Sequence, residues 1–104
     1  MKTNEFNKHV ERRCRLISKV LVRKGAEYAS VDDRLYNFKE AAKDDSTTPE
    51  KALWGMYLKH HVSVKDLKNG RLKLSRRMID EKIGDAINYL ILLEALLIEK
   101  IRGE

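Results

Sequence analysis

Glu81, Asp85 and Asn88 place three oxygen-bearing side chains at spacings of four and three. With about 100° between successive helical residues, Asp85 falls about 40° to one side of Glu81 and Asn88 about 20° to the other, so all three stand on one ridge. Oxygens presented in this way suit a hard cation such as Mg²⁺, which takes one or two carboxylates and keeps several waters. Acidic pairs also decorate many solvated helix faces, so the spacing alone does not separate a metal site from an ordinary surface.

A second polar set precedes it. His60 falls at the centre of the apolar stripe Leu53, Met56, Tyr57, Val64 and Leu67, with Ser63 at the margin and Asp66 on the same predicted helix. Inward-pointing polar groups need partners, and a hydrogen-bonded core histidine is the plainer reading of His60. A short antiparallel connection to the helix that opens with Glu81 and Asp85 would bring the two sets together in a cleft. Lys24 and Tyr28, one turn apart, and Arg34, Asn37 and Phe38 further on could form its other wall. Cation, amide and ring are what a nucleotide's phosphate, base edge and base face require. The plainer alternative makes Phe38 a core residue and Arg34 a surface one.

The elements that must position these groups are helical. Phe6, Val10, Cys14, Ile17 and Leu21 recur at helical spacing, widened by Leu16 and Val20, and predict one long helix over residues 4–28 with Gly25 its weak point. Cys14 reads as a small core residue. Ser30 followed by Asp33 resembles a capping box, and Val31, Leu35, Phe38 and Ala42 mark a short second helix. Thr48 offers a cap and Pro49 fits a first helical position, which starts a third helix running to Leu67, where Asn69-Gly70 stops it. Arg71 to Leu74 reads as loop, and a fourth helix over residues 75–101 carries Ile79, Ile83, Ile87, Leu90, Leu97 and Ile101 on one side. The expected fold is an all-α four-helix bundle in one domain, residues 1–104. From Tyr89 onward the other faces of the fourth helix also carry Leu92, Ala95 and Leu96. A helix apolar all round is buried all round, which predicts a homodimer or homotetramer. Glu94, inside that stripe, needs either a partner or an exposed edge.

Bulk properties narrow the classes. The chain has 104 residues, Lys+Arg 22 against Asp+Glu 16, and a net charge of +6, which favours anionic partners. The cations gather in the first helix (Arg12, Arg13, Arg15, Lys19, Arg23, Lys24) and over Lys65 to Arg77. A single cysteine and the lack of a leader-like start point to the cytoplasm. The apolar run around Tyr89 to Ile98, broken by Glu94, is too short to span a bilayer, so no membrane role is expected. No Gly-rich phosphate loop, nucleophile elbow, H-E-x-x-H or paired-cysteine zinc pattern is present. His60 and His61, being adjacent, point about 100° apart and do not both face one metal easily.

The segment Glu81-Lys82-Ile83-Gly84-Asp85-Ala86-Ile87-Asn88-Tyr89-Leu90 resembles the metal-binding helix of the all-α NTP pyrophosphatases, the MazG-like superfamily, whose pattern is Glu-Glu-x-x-Asp followed by an apolar run. Lys24 to Tyr28, Asp33 to Phe38, and Gly55-Met56 through Lys59-His60 to Ser63 and Asp66 are similar to a group of small phage and prophage proteins associated with nucleotide metabolism or modification. Lys82 stands where the superfamily has its second glutamate, and Lys59, His60, Ser63 and Asp66 replace its Glu-x-x-Glu helix. The resemblance implies a MazG-like nucleotide pyrophosphohydrolase acting with Mg²⁺ on a nucleoside triphosphate or modified nucleotide, in the cytoplasm of a bacterial host if phage-encoded. It implies Glu81 and Asp85 as metal ligands and His60, Asp66, Glu81 and Asp85 as the catalytic set. Lys24, Tyr28, Arg34, Asn37, Phe38, Lys59, Ser63, Lys82 and Asn88 would bind substrate. Because of the departures, catalysis stays open: a phage protein that captures a nucleotide signal without turnover is the alternative. A basic helical nucleic-acid binder is a further one.

Overall fold

A computed structural model describes residues 1–27 and 32–103. Among them every regular element is helical and there is no strand. Four α-helices form the frame: α1 Thr3–Ser18, α2 Tyr36–Asp44, α3 Pro49–Lys68 and α4 Arg76–Ile101. No helix among these residues is long and apolar enough to cross a membrane.

Local chemistry sets the ends of the two long helices. Thr48 is extended, with ψ 155°, and its hydroxyl accepts from the Lys51 amide at 3.4 Å while Pro49 fills the first helical position. At the other end Gly70 takes φ +73°, a left-handed conformation suited to glycine, and the Arg71 amide donates back to the Asp66 carbonyl at 2.9 Å. Ser75 then caps α4 by accepting from the Met78 amide at 3.1 Å. The start of α2 differs from the sequence expectation, since Ser30 and Val31 lie outside the described residues and the helix begins at Tyr36. Asp33 organises that start. Its carboxylate accepts from the Leu35 amide at 2.9 Å and from Lys39 Nζ at 2.7 Å, and these two donors, Lys39 foremost, lower its pKa.

α3 and α4 run antiparallel: Glu50 meets Lys100 at 2.7 Å, and further along His60 approaches Asp85 at 3.7 Å. Leu53, with no solvent exposure, sits at the centre of the core with Leu35, Phe38, Tyr57, Ala86 and Leu96. Val64, Tyr89, Leu92 and Leu93 pack around them. Lys39 bridges α2 to α4 through Glu99 at 3.0 Å.

α1 departs from expectation in two ways. The α-helix gives way at Lys19–Arg23 to a π turn closed by the Lys24 amide on the Lys19 carbonyl at 3.1 Å, and a 3₁₀ turn covers Gly25–Glu27. Tyr28, the expected end, is outside the described residues. No residue of α1 is buried, and Cys14 is exposed, which corrects its reading as a core residue. The cause is rotational. α1 turns Arg12, Arg13 and Leu16 toward α4, so the stripe Phe6, Val10, Cys14 is left to the side, with Phe6 54% exposed. α4 likewise buries Gly84, Asn88 and Leu96, while Ile79, Leu90, Leu97 and Ile101 face solvent and Glu94 is exposed beside them.

Candidate functional site

A cleft of about 330 Å³ opens where the π turn of α1, the first turns of α2, and the middles of α3 and α4 converge. Its walls are largely apolar: Val20 and Leu21 from the π turn, Phe38, Met56, Tyr89 and Leu92. Four polar side chains converge on it, Arg34, Asn37, Asp85 and Asn88. A concave apolar site with a few convergent polar groups is the usual form of a small-molecule site, and this one lies at the low end of the usual size range of about 300–1,000 Å³. A second hollow of about 410 Å³ adjoins it, sharing Val20, Asp85 and Asn88, and adds Arg13, Arg77, Asp80, Glu81 and Gly84. Asp85 and Asn88 therefore stand on the sill between an apolar chamber and a charged one.

Two buried atoms of residues lining the first chamber, Arg34 Nε and Asn88 Oδ1, have no hydrogen-bond partner among the described residues. Asn88 is only 9% exposed. A buried polar atom left without a partner costs about 1–3 kcal/mol, and both of these lie beneath the chamber's surface, Arg34 Nε against the Gly25 backbone. Arg34 owes its position to Gly25: a Cβ on that glycine would come within 2.7 Å of Arg34 Nε. The guanidinium thus rests against bare backbone.

His60 is half-buried, its Nδ1 3.7 Å from Asp85 Oδ2 and its ring 4.7 Å from that of Tyr89 at 31°. α3 and α4 therefore bring His60 to Asp85, as the antiparallel reading anticipated. Ser63 and Asp66 are occupied locally: the Ser63 hydroxyl donates to the Lys59 carbonyl at 3.1 Å, and Asp66 faces Arg71 at 3.7 Å. Neither of them lines the two hollows, and His60 borders them only through its neighbours Asp85 and Tyr89. Lys59 and Lys24 are exposed and also stand apart from them. Glu81 is exposed, and Lys82 Nζ lies 3.4 Å from its carboxylate. Tyr28 lies outside the described residues.

For a cation, the donors on hand are the carboxylates of Glu81 and Asp85, which border the charged hollow, while Asn88 Oδ1 is buried. Among the described residues no group of three or more His, Cys, Asp or Glu could hold a metal ion. Two carboxylates on an open ridge fit Mg²⁺ held jointly with waters and phosphate oxygens, and do not fit a closed all-protein cage.

Arg13, Arg77, Tyr89 and Met56 also line the hollows, and none of them is among the site residues expected from the sequence. A signal for Arg13 existed in Gly84, a glycine inside a helical pattern, which marks close approach. A Cβ there would lie 2.7 Å from Arg13 Nη1. Arg13 also contacts Asp80, at 3.5 Å, alongside the two-pronged bond from Arg12 at 2.9 and 2.6 Å. That Arg12 bond holds the Asp80 carboxyl down to about 2.

Comparison with protein-family models, with curated proteins and with solved structures finds no match to this chain.

Proposed function

We propose that the chain is a nucleotide pyrophosphohydrolase of MazG-like type, taking a nucleoside triphosphate or modified nucleotide across the two adjoining hollows with Mg²⁺. The observation that carries this is an apolar chamber lined by Arg34, Asn37 and Asn88 that shares Asp85 with the adjoining hollow, where Glu81 stands. Phe38 and Tyr89 offer ring faces for a base, and Arg34, Asn37 and Asn88 line the same chamber as a cation and two amides for phosphate and base edge. The triphosphate then extends over the sill toward Arg13 and Arg77. Glu81 and Asp85 would hold Mg²⁺, which when bound would neutralise charge on phosphate oxygens. His60, 3.7 Å from Asp85 and beside the Tyr89 ring, would be the group that takes a proton from water. Attack of that water on the α phosphorus breaks its bond to the bridging oxygen, and pyrophosphate leaves.

Incubation of purified protein with canonical and modified nucleoside triphosphates and Mg²⁺ tests this directly. Pyrophosphate and a monophosphate are expected, and the Asp85→Asn variant should lose turnover at least a hundredfold. Release no greater than from Asp85→Asn across the panel removes hydrolysis.

One feature favours a second reading, capture of a nucleotide without turnover: Lys82 beside Glu81 leaves the ridge with only two carboxylates. Calorimetry in chelator then gives binding that Arg34→Ala and Asn88→Ala each weaken by about tenfold, or about 1.4 kcal/mol. No heat with any nucleotide, with or without Mg²⁺, removes both readings.

A further inference from the structure

The net charge of +6 is not spread evenly over the chain. Residues 1–24 hold eight lysines and arginines against two glutamates, while the other eighty residues hold fourteen cations and fourteen carboxylates. Part of that excess converges on a third hollow, of about 340 Å³, between α1 and the start of α4, which shares no lining residue with the two hollows of the cleft. Lys8, Arg12 and Arg15 enter it from α1, and Arg76 from the first position of α4. Spacings of four and three set the α1 cations on one face, about 10 Å from end to end at 1.5 Å per residue. Arg12 and Arg76 lean on Asp80 at 2.6 and 3.5 Å, and Arg13 reaches the same carboxylate at 3.5 Å, so one negative charge serves three guanidinium groups. Lys8 and Arg15 pair with no described residue. Glu5 is the one carboxylate among the described residues that line the hollow.

We propose that this hollow binds a compact oligophosphate anion, at a site separate from the cleft. Like charges crowded around a concave surface repel one another, and an anion of several charges offsets that repulsion at once. Guanidinium forks match phosphate oxygens two at a time, and a row of cations about two helical turns long suits linked phosphates better than a single one. Two features make the ligand compact. A binder of extended strands combines its charged groove with aromatic platforms for the bases, and no Phe, Tyr or Trp lines this hollow. Glu5 repels any backbone that would continue along α1 toward its start. Bound there, the anion bridges α1 to α4 beside the Asp80 link, and so firms the attachment of a helix that buries none of its residues. The inference stands on charge and shape, and does not rest on nucleotide turnover in the cleft.

Titration calorimetry of the wild-type chain with inorganic tripolyphosphate, in chelator and at constant ionic strength, is expected to show binding at least about tenfold tighter than that of orthophosphate. No heat at millimolar tripolyphosphate, or equal affinity for orthophosphate, overturns the proposal. The double variant Lys8→Gln and Arg15→Gln should bind tripolyphosphate at least about tenfold more weakly, whereas Arg77→Gln, in the charged hollow of the cleft, should leave the affinity nearly unchanged. The reverse puts the anion in the cleft and overturns the separate site. Lys8 and Arg15 are exposed and unpaired, so the double variant should keep its helical circular dichroism. Should it unfold, NMR of the wild-type chain decides: the largest shifts with tripolyphosphate are expected at Lys8, Arg12, Arg15 and Arg76, and shifts centred on Arg13 and Arg77 overturn the assignment. Amide exchange over Thr3–Ser18 should slow at saturation, and unchanged exchange removes the bridge. A short DNA, single-stranded or duplex, should bind more weakly than tripolyphosphate. Tighter binding that the double variant abolishes would give the surface to nucleic acid and overturn the compact ligand.

Discussion

The α3–α4 hairpin with α2 against it is closed by apolar side chains, Leu53 wholly buried at its centre, whereas α1 buries none of its residues and rests on α4 chiefly through Arg12 and Arg13 on one carboxylate, Asp80. Burial of apolar area holds at any ionic strength, while part-exposed ion pairs weaken with salt and with protonation. The cleft draws on both regions, since Phe38, Tyr89 and Asn88 belong to the firm part and Val20 and Leu21 to the end of α1. Its shape therefore depends on a contact that solution conditions can loosen.

The sharpest way to break this contrast is to damage the firm region. Leu53→Ala should cost about 2–5 kcal/mol in urea denaturation and unfold all four helices together. If α3 and α4 survive that change with their cooperativity intact, the core has been misplaced. Gly84→Ala should separate the two regions. A helix-interior alanine favours α4 by roughly 0.5–1 kcal/mol, yet the new methyl must push Arg13 aside, so global stability should rise while amide exchange in α1 accelerates. Asp80→Asn should do the second without the first, leaving the denaturation midpoint of α3 and α4 nearly unmoved and speeding exchange over Thr3–Ser18.

The smallest effect is one of pH. Asp80 ionises in the folded chain at about 2 against an ordinary 3.8, so its attachment of α1 is complete above the ordinary value and fades as the pH falls from about 4 toward 2. NMR shifts of α1 amides should follow that window in the wild type and be flat in Asp80→Asn. Equal titration in both would assign the attachment to other groups.

Much of this frame was legible from local signals. Thr48-Pro49, Asn69-Gly70 and Ser75 fix helix ends through hydrogen bonds within a few residues, so α3 and α4 were readable almost to the residue. Direction of facing was not. α1 and α4 each carry enough apolar side chains that periodicity alone cannot say which side meets the rest of the chain, and Cys14 was misread for that reason. Pairing across helices fared between these: the approach of His60 to Asp85 followed from antiparallel connection, whereas Ser63 and Asp66 found partners on their own helix and loop. The stranded state of Arg34 and Asn88 depends on what surrounds them in three dimensions, and neither residue type announces it.

Arg34 rests on the Cα of Gly25 with no room for a methyl between them. The positive charge lining the apolar chamber is thus positioned by the main chain of the 3₁₀ turn that follows α1, nine residues earlier. Whatever shifts that main chain shifts the charge with it, so detaching α1 from Asp80 and mis-setting the guanidinium are one event. A chain whose first helix has come loose should accordingly lose the setting of that charge before it loses any of its core.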